Sequence, residues 1–131
     1  MIINTSALVA VLRREAGFEL LQSTIERSPG ARLSAANLLE LAIVVDAKRD
    51  PTVSREMDQY LQEAAIEIEP VTEAQARVAR EAYRDYGKGS GHPAQLNFGD
   101  CFAYALAREL REPLLYKGAD FSQTDIKSAL D

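Results

Sequence analysis

Met1-Ile2-Ile3-Asn4-Thr5-Ser6-Ala7-Leu8-Val9-Ala10 opens the chain. Met1 to Thr5 reads as a short buried strand centred on Ile2 and Ile3. Ser6 can cap the helix that follows, Ser6 to Glu15. A strand passing directly into a helix is the first half of a βα unit, and the same alternation continues along the chain. Arg32 to Ser34, Ile66 to Ile68 and Leu114 to Tyr116 read as further strands. Asp125 to Leu130 reads as a terminal strand or a helical turn. Strands separated by helices imply parallel pairing through right-handed crossovers, hence an α/β fold with a parallel sheet of four or five strands. In such sheets ligands gather beyond the carboxyl ends of the strands. Asn4 closes the first strand, and Asp120 follows the last by a Lys117-Gly118 turn, so both belong to that rim.

Between the strands, Gly17 interrupts the first helical run and Phe18 to Arg27 resumes it. Ala35 to Asp46 is apolar nearly all round and reads as a helix buried on most faces. Pro51 starts another helix, with Met57, Tyr60 and Leu61 on one side. Thr72-x-x-Gln75 is a capping-box pattern that opens a helix to about Tyr86. Gly87 to Ala94 is a glycine-rich loop, and Phe98 to Leu110 is the next helix. The 131 residues are one domain's worth of chain, 1–131, able to bury one substantial core. A single Cys, Cys101, rules out an intrachain disulfide and fits a reducing compartment; with one His beside it, a Cys/His zinc site is nearly excluded. No apolar run approaches a membrane span and no targeting segment stands out, so the expected location is the cytoplasm. The net charge of −5 counts against non-specific nucleic-acid binding, although a carboxylate-rich metal pocket lowers the charge without describing the rest of the surface.

Glu40 is the best single clue. Ala35 to Val45 carries only Asn37 and Glu40 as polar residues, three apart and so on one helix face. An ionised carboxylate buried there needs a cation, a partner or a raised pKa; on an exposed stripe it needs none. Asp100 falls in the first turn of its helix, where the helix dipole favours an acid in any protein. Asp120 lies in a turn, where Asp is common. Taken together, Glu40, Asp100, Asp120 and the Asn4 amide suggest a site for a hard divalent cation, because Mg²⁺ and Mn²⁺ prefer oxygen ligands and clustered carboxylates are stable as anions only around a cation. Such an ion activates water for phosphodiester cleavage without a histidine.

In order, Asn4-Thr5-Ser6-Ala7, the Glu40 helix, the run Gly91-His92-Pro93-Ala94-Gln95-Leu96-Asn97-Phe98-Gly99-Asp100-Cys101-Phe102-Ala103-Tyr104-Ala105-Leu106-Ala107, and Leu114 to Phe121 followed by Thr124-Asp125-Ile126 resemble the PIN-domain ribonucleases, specifically the VapC toxins of bacterial toxin–antitoxin pairs. The likeness covers essentially the full length. It implies a three-layer α/β/α PIN-like domain with a central parallel sheet. It further implies a Mg²⁺- or Mn²⁺-dependent endoribonuclease acting on structured RNA such as tRNA or ribosomal RNA, a homodimer, and a VapB-type antitoxin that blocks the active site. By residue, Glu40, Asp100 and Asp120 match the family's metal-binding acids, and Ser6 matches the hydroxyl beside the first acid.

Position 4 departs from that pattern, since the resembled family has Asp there. Asn keeps one carbonyl oxygen but removes a full charge. Two unit charges roughly 4 Å apart are worth about 4 kcal/mol at an effective dielectric of about 20, and twice that for a divalent ion. The expectation is weak metal binding and an inactivated Asp-to-Asn form, arising by deliberate exchange or by natural divergence. Lys88, His92 and Lys117 lie near the motif segments and are candidates for RNA phosphates. Arg77, Arg80 and Arg84 read either as part of a basic stripe or as a solvated face laced with acids. Asp125 is either a supporting acid or a cap. Leu12, Phe18 and Leu21 could line a groove for a partner segment or be core. The competing functions are a non-catalytic scaffold binding RNA or antitoxin, and a phosphoacceptor receiver-like domain, which lacks its early acidic pair here.

Overall fold

Ile2 and Ile3 are fully buried and point to opposite faces of the sheet, as alternation along a strand requires. Each anchors a different core. Ile2 packs with Leu96, Tyr104, Leu106 and Leu114, and Ile3 with Leu8, Leu33, Leu41 and Leu115. The computed structural model describes residues 1–131. Its elements in chain order are β1 (Ile2–Ile3), α1 (Thr5–Arg13), α2 (Phe18–Glu26), β2 (Arg32–Ser34), α3 (Ala35–Asp46), α4 (Pro51–Glu63), β3 (Glu67–Glu69), α5 (Glu73–Tyr86), α6 (Phe98–Leu110) and β4 (Leu114–Leu115), followed by a 3-10 turn at Phe121–Gln123.

Four strands form one sheet in the order β3-β2-β1-β4, every neighbouring pair parallel. Ile2 registers with both Arg32 and Leu114, and Leu33 with Ile68. One apolar cluster draws on α5 and α6, the other on α1 to α4, which gives the three-layer α/β/α arrangement. The fold is thus the α/β parallel-sheet fold the sequence implied, with four strands. No helix is long and apolar enough to cross a membrane.

Several local readings need correction. The cap of α1 is Asn4, whose side-chain oxygen accepts the Ser6 N–H at 3.0 Å; helix geometry begins at Thr5, one residue before the Ser6 cap expected. Ser6 is free for another task, and its Oγ accepts the Lys117 N–H at 3.0 Å. Helix α3 is not buried all round: Asn37, Leu41 and Val45 are buried and Leu38 and Ala42 pack partly against the core, but Leu39 and Ile43 are 63% and 60% exposed. The C-terminal stretch forms no strand beyond a parallel bridge of Ser128 to Leu114. Gly17, at φ +84, does separate α1 from α2, in a left-handed conformation that glycine adopts without strain.

Candidate metal centre

The site is assembled where β1 ends and α1 begins. Asn4 continues the sheet, donating its N–H to Leu115 O at 2.8 Å, and caps α1 with its side-chain oxygen. That oxygen is therefore committed, and the amide nitrogen is the group left to face inward. It donates to Asp100 Oδ1 at 3.3 Å, with Asn4 only 2% exposed. Asp100 is fixed from its own side by a capping box. Asn97 Oδ1 accepts the Asp100 N–H at 2.8 Å, and Asp100 Oδ2 accepts the Asn97 N–H at 3.1 Å. Burial holds the Asp100 carboxyl above its usual range, and the nearby charges of Asp120 and Glu40 push the same way. The Asn97 N–H and the Asn4 amide oppose this without overcoming it.

Glu40 reaches the same place from α3. Thr5 Oγ1 donates to its Oε1 at 2.5 Å, and Asn37 Nδ2 donates to the same oxygen at 3.3 Å. Asn37 is wholly buried and its Nδ2 also donates to Gly99 O at 2.9 Å, tying α3 to the first turn of α6. Its side-chain oxygen is buried with no partner. Gly99 has no side chain because the Glu40 carboxylate occupies the space a Cβ would need. The expectation that Asn37 and Glu40 share a face holds, and the structure shows its purpose: one residue positions the other.

A cavity of about 350 Å³ opens over these groups, lined by Asn4, Thr5, Ser6, Glu40, Asn97 and Asp100, with Val9, Arg13, Glu15, Val44 and Lys117 around them. Asn4, Glu40 and Asp100, drawn from three distant segments, therefore meet. Asp120 is exposed and is not among the lining residues, although its charge bears on Asp100. Of the three proposed RNA-contacting residues, only Lys117 lines the cavity, where its Nζ pairs with Glu15 Oε1 at 2.9 Å. Lys88 and His92 lie on the loop after α5, outside the lining. His92 Nδ1 accepts the Ala94 N–H at 3.1 Å, and its ring sits edge-on to Tyr86. Asp125 is engaged elsewhere, accepting from Tyr104 Oη at 2.7 Å and facing Arg108.

Thr5, Asn37, Asn97 and Gly99 were not among the sequence's site residues. The Asn97-x-x-Asp100 spacing was a legible capping box. Thr5 could be found only by knowing that α3 passes beside α1.

The donors fit a hard divalent cation in kind, being two carboxylates and an amide around open space, and Asp100 is buried with neutral donors where a cation would relieve it. They fall short in charge. No three acidic, His or Cys side chains come together at metal-ligand spacing, and position 4 contributes an N–H₂ rather than an anionic oxygen.

A PIN-domain family model matches residues 1–127. Ribonuclease VapC28 of Mycobacterium tuberculosis is 53% identical over all of this chain and 98% of its own length. Among solved structures, M. tuberculosis VapC20, described as a sarcin-ricin-loop-cleaving toxin, superposes with a TM-score of 0.76 at 16% identity, covering 95% of each chain. A toxin–antitoxin complex from Klebsiella pneumoniae gives 0.69 at 15% identity, covering 92% of this chain and 89% of that one. These last two likenesses concern the fold.

Proposed function

The chain belongs to the PIN-domain family, in its VapC ribonuclease branch, and from that footing we propose that it is the endoribonuclease toxin of a toxin–antitoxin pair, acting on structured RNA with Mg²⁺ or Mn²⁺, and weakened by Asn4. The observation that carries the reading is the convergence of Asp100, Glu40 and position 4 on one open cavity at the carboxyl end of the sheet.

Asp100 and Glu40 would hold the ion, with Asp120 within electrostatic reach, while the Asn4 side-chain oxygen stays on the Ser6 N–H. A divalent ion held there would supply a more acidic bound water and positive charge for the phosphorus centre. The protein's own part is positional. Thr5 and Asn37 hold Glu40 in one orientation, and the Asn97 capping box holds Asp100. Asn4 weakens the arrangement in two ways: it removes one negative charge, and it fills the gap with an N–H₂ that already satisfies Asp100.

An antitoxin partner is supported by the VapC relatives and by the neighbouring toxin–antitoxin complex. Exposed Leu39, Ile43 and Phe98 support self-association into a homodimer, to be checked by the mass in solution. The second reading, a scaffold that binds RNA without cutting it, rests on the same Asn4 contact. The Asn4→Asp variant separates the two. Its cleavage of bulk tRNA in Mn²⁺ buffer should rise by roughly two orders of magnitude or more over the parent chain. A metal-independent or unchanged rate in that variant would sink the nuclease reading in favour of the scaffold.

A further inference from the structure

Resting on the ribonuclease reading, we propose that Arg13 binds a substrate phosphate beside the scissile one and so fixes the direction in which RNA leaves the site. The cavity floor is acidic, with Asp100 and Glu40 in its lining and Asp120 close by. A polyanion reaches such a floor only past compensating positive charge. Two cations line the cavity. Lys117 is neutralised by Glu15 at 2.9 Å. Arg13 is in none of the chain's ion pairs and makes no side-chain hydrogen bond, although its neighbourhood contains acids. Its charge does complement the last turn of α1, a benefit worth only tenths of a kcal/mol at an exposed position, and this leaves its donors open.

Position supplies the second argument. Val9 and Arg13, one helical turn apart on α1, together with Val44 of α3, line both the site cavity and a second one of about 330 Å³ between α1, α3 and α4. Arg13 therefore stands where the two meet. Lys48 also lines the second cavity, together with Asp50. A strand held at the carboxylates and continuing past Arg13 would follow α1 and α3, whose cavities neither Lys88 nor His92 lines. A guanidinium suits that role because its planar fork of donors matches a phosphate.

The parent chain, slow to cut, allows equilibrium binding to be measured. The probe is a fluorescein-labelled RNA stem-loop of about 20 nucleotides, titrated by anisotropy from low to moderate salt. Arg13→Ala should weaken binding about tenfold at low salt and reduce the slope of log K against log salt by about 1. Arg13→Lys should recover the slope but only part of the affinity. Arg55→Ala, on the exposed face of α4, removes the same net charge away from the site and should leave the slope unchanged. Equal losses for Arg13→Ala and Arg55→Ala, or an unaltered slope in Arg13→Ala, overturn the assignment while leaving the ribonuclease reading intact. Failure of both the parent chain and its Asn4→Asp form to bind the stem-loop overturns the two together. Loss of binding to a purified antitoxin peptide in Arg13→Ala, with RNA binding untouched, assigns the residue to the protein partner and also overturns the proposal.

Discussion

At the amino ends of the strands, charge answers charge. The Met1 ammonium lies 2.8 Å from Glu112 Oε1, and Arg32 bridges Glu112 Oε2 at 3.1 Å and the two acids of β3. Arg32 Nε is 3.1 Å from Glu69 but off the line of its N–H, so that contact is one of charge rather than a hydrogen bond. At the carboxyl ends the pattern is reversed. Asp100 and Glu40 are held by two side-chain amides, a hydroxyl and one backbone N–H, and no cationic side chain pairs with either. The same sheet thus has one end neutralised by its own side chains and one end arranged to accept charge from outside. The first arrangement ties strands and termini together, and the second leaves its acids to neutral donors.

The largest effect should come from removing the neutral stand-in. Without metal, Asn4→Asp keeps the helix cap yet sets two anionic oxygens about 3.3 Å apart where the amide now bonds Asp100. The variant should lose roughly 2 kcal/mol in chelator and regain it in excess Mn²⁺, read from melting curves in the two buffers. A metal-blind melt would erase the contrast between the two ends.

Next is Gly99→Ala. A methyl group there collides with the Glu40 carboxylate, so α3 or Glu40 must shift. Expected are a loss of about 1–3 kcal/mol in urea titration and, in the Asn4→Asp background, a fall in cleavage rate of about a hundredfold. Asn37→Ala should follow, at about 1–2 kcal/mol, because it leaves Gly99 O without its donor and frees Glu40. Its rate loss should exceed the loss from a cavity of equal size at Val45, which is buried outside the lining of the site cavity.

The smallest effect belongs to the neutralised end. The N-terminal ammonium, with Arg32 behind it, holds the Glu112 carboxyl below its usual range. A depressed carboxylate contributes stability that is present above its unfolded value and lost as pH falls through the folded one. Glu112→Gln should therefore cost about 1 kcal/mol at pH 7, since Glu112 is 29% exposed and solvent screens the pair only in part, and the cost should vanish in acid. A difference that grows on acidification would reverse the sign and refute the pairing.

The sequence was read well where a signal was local. Strand β2, helix α3 and helix α6 have the bounds expected, because apolar runs, Pro51 and Pro113 mark their ends without help from elsewhere. Local reading failed where two elements compete for one residue. Asn4 rather than Ser6 caps α1, since Ser6 Oγ is taken by Lys117 N–H from across the chain. Leu39 and Ile43 are apolar yet exposed, because periodicity cannot say which side of an all-apolar helix meets a neighbour.

By itself, the order of residues determined the α/β class, the parallel sheet and the acids at the carboxyl-end rim, because alternating short strands and helices leave few topologies and the rim is where βα turns must fall. Only the folded chain decided that Asn4 turns its nitrogen toward Asp100, that Asn37 and Gly99 lock Glu40, and that Asp120 remains outside the cavity lining. Those outcomes depend on which groups from segments up to 96 residues apart come within bonding distance, and a hydrogen bond is specified by position and direction, not by spacing along the chain.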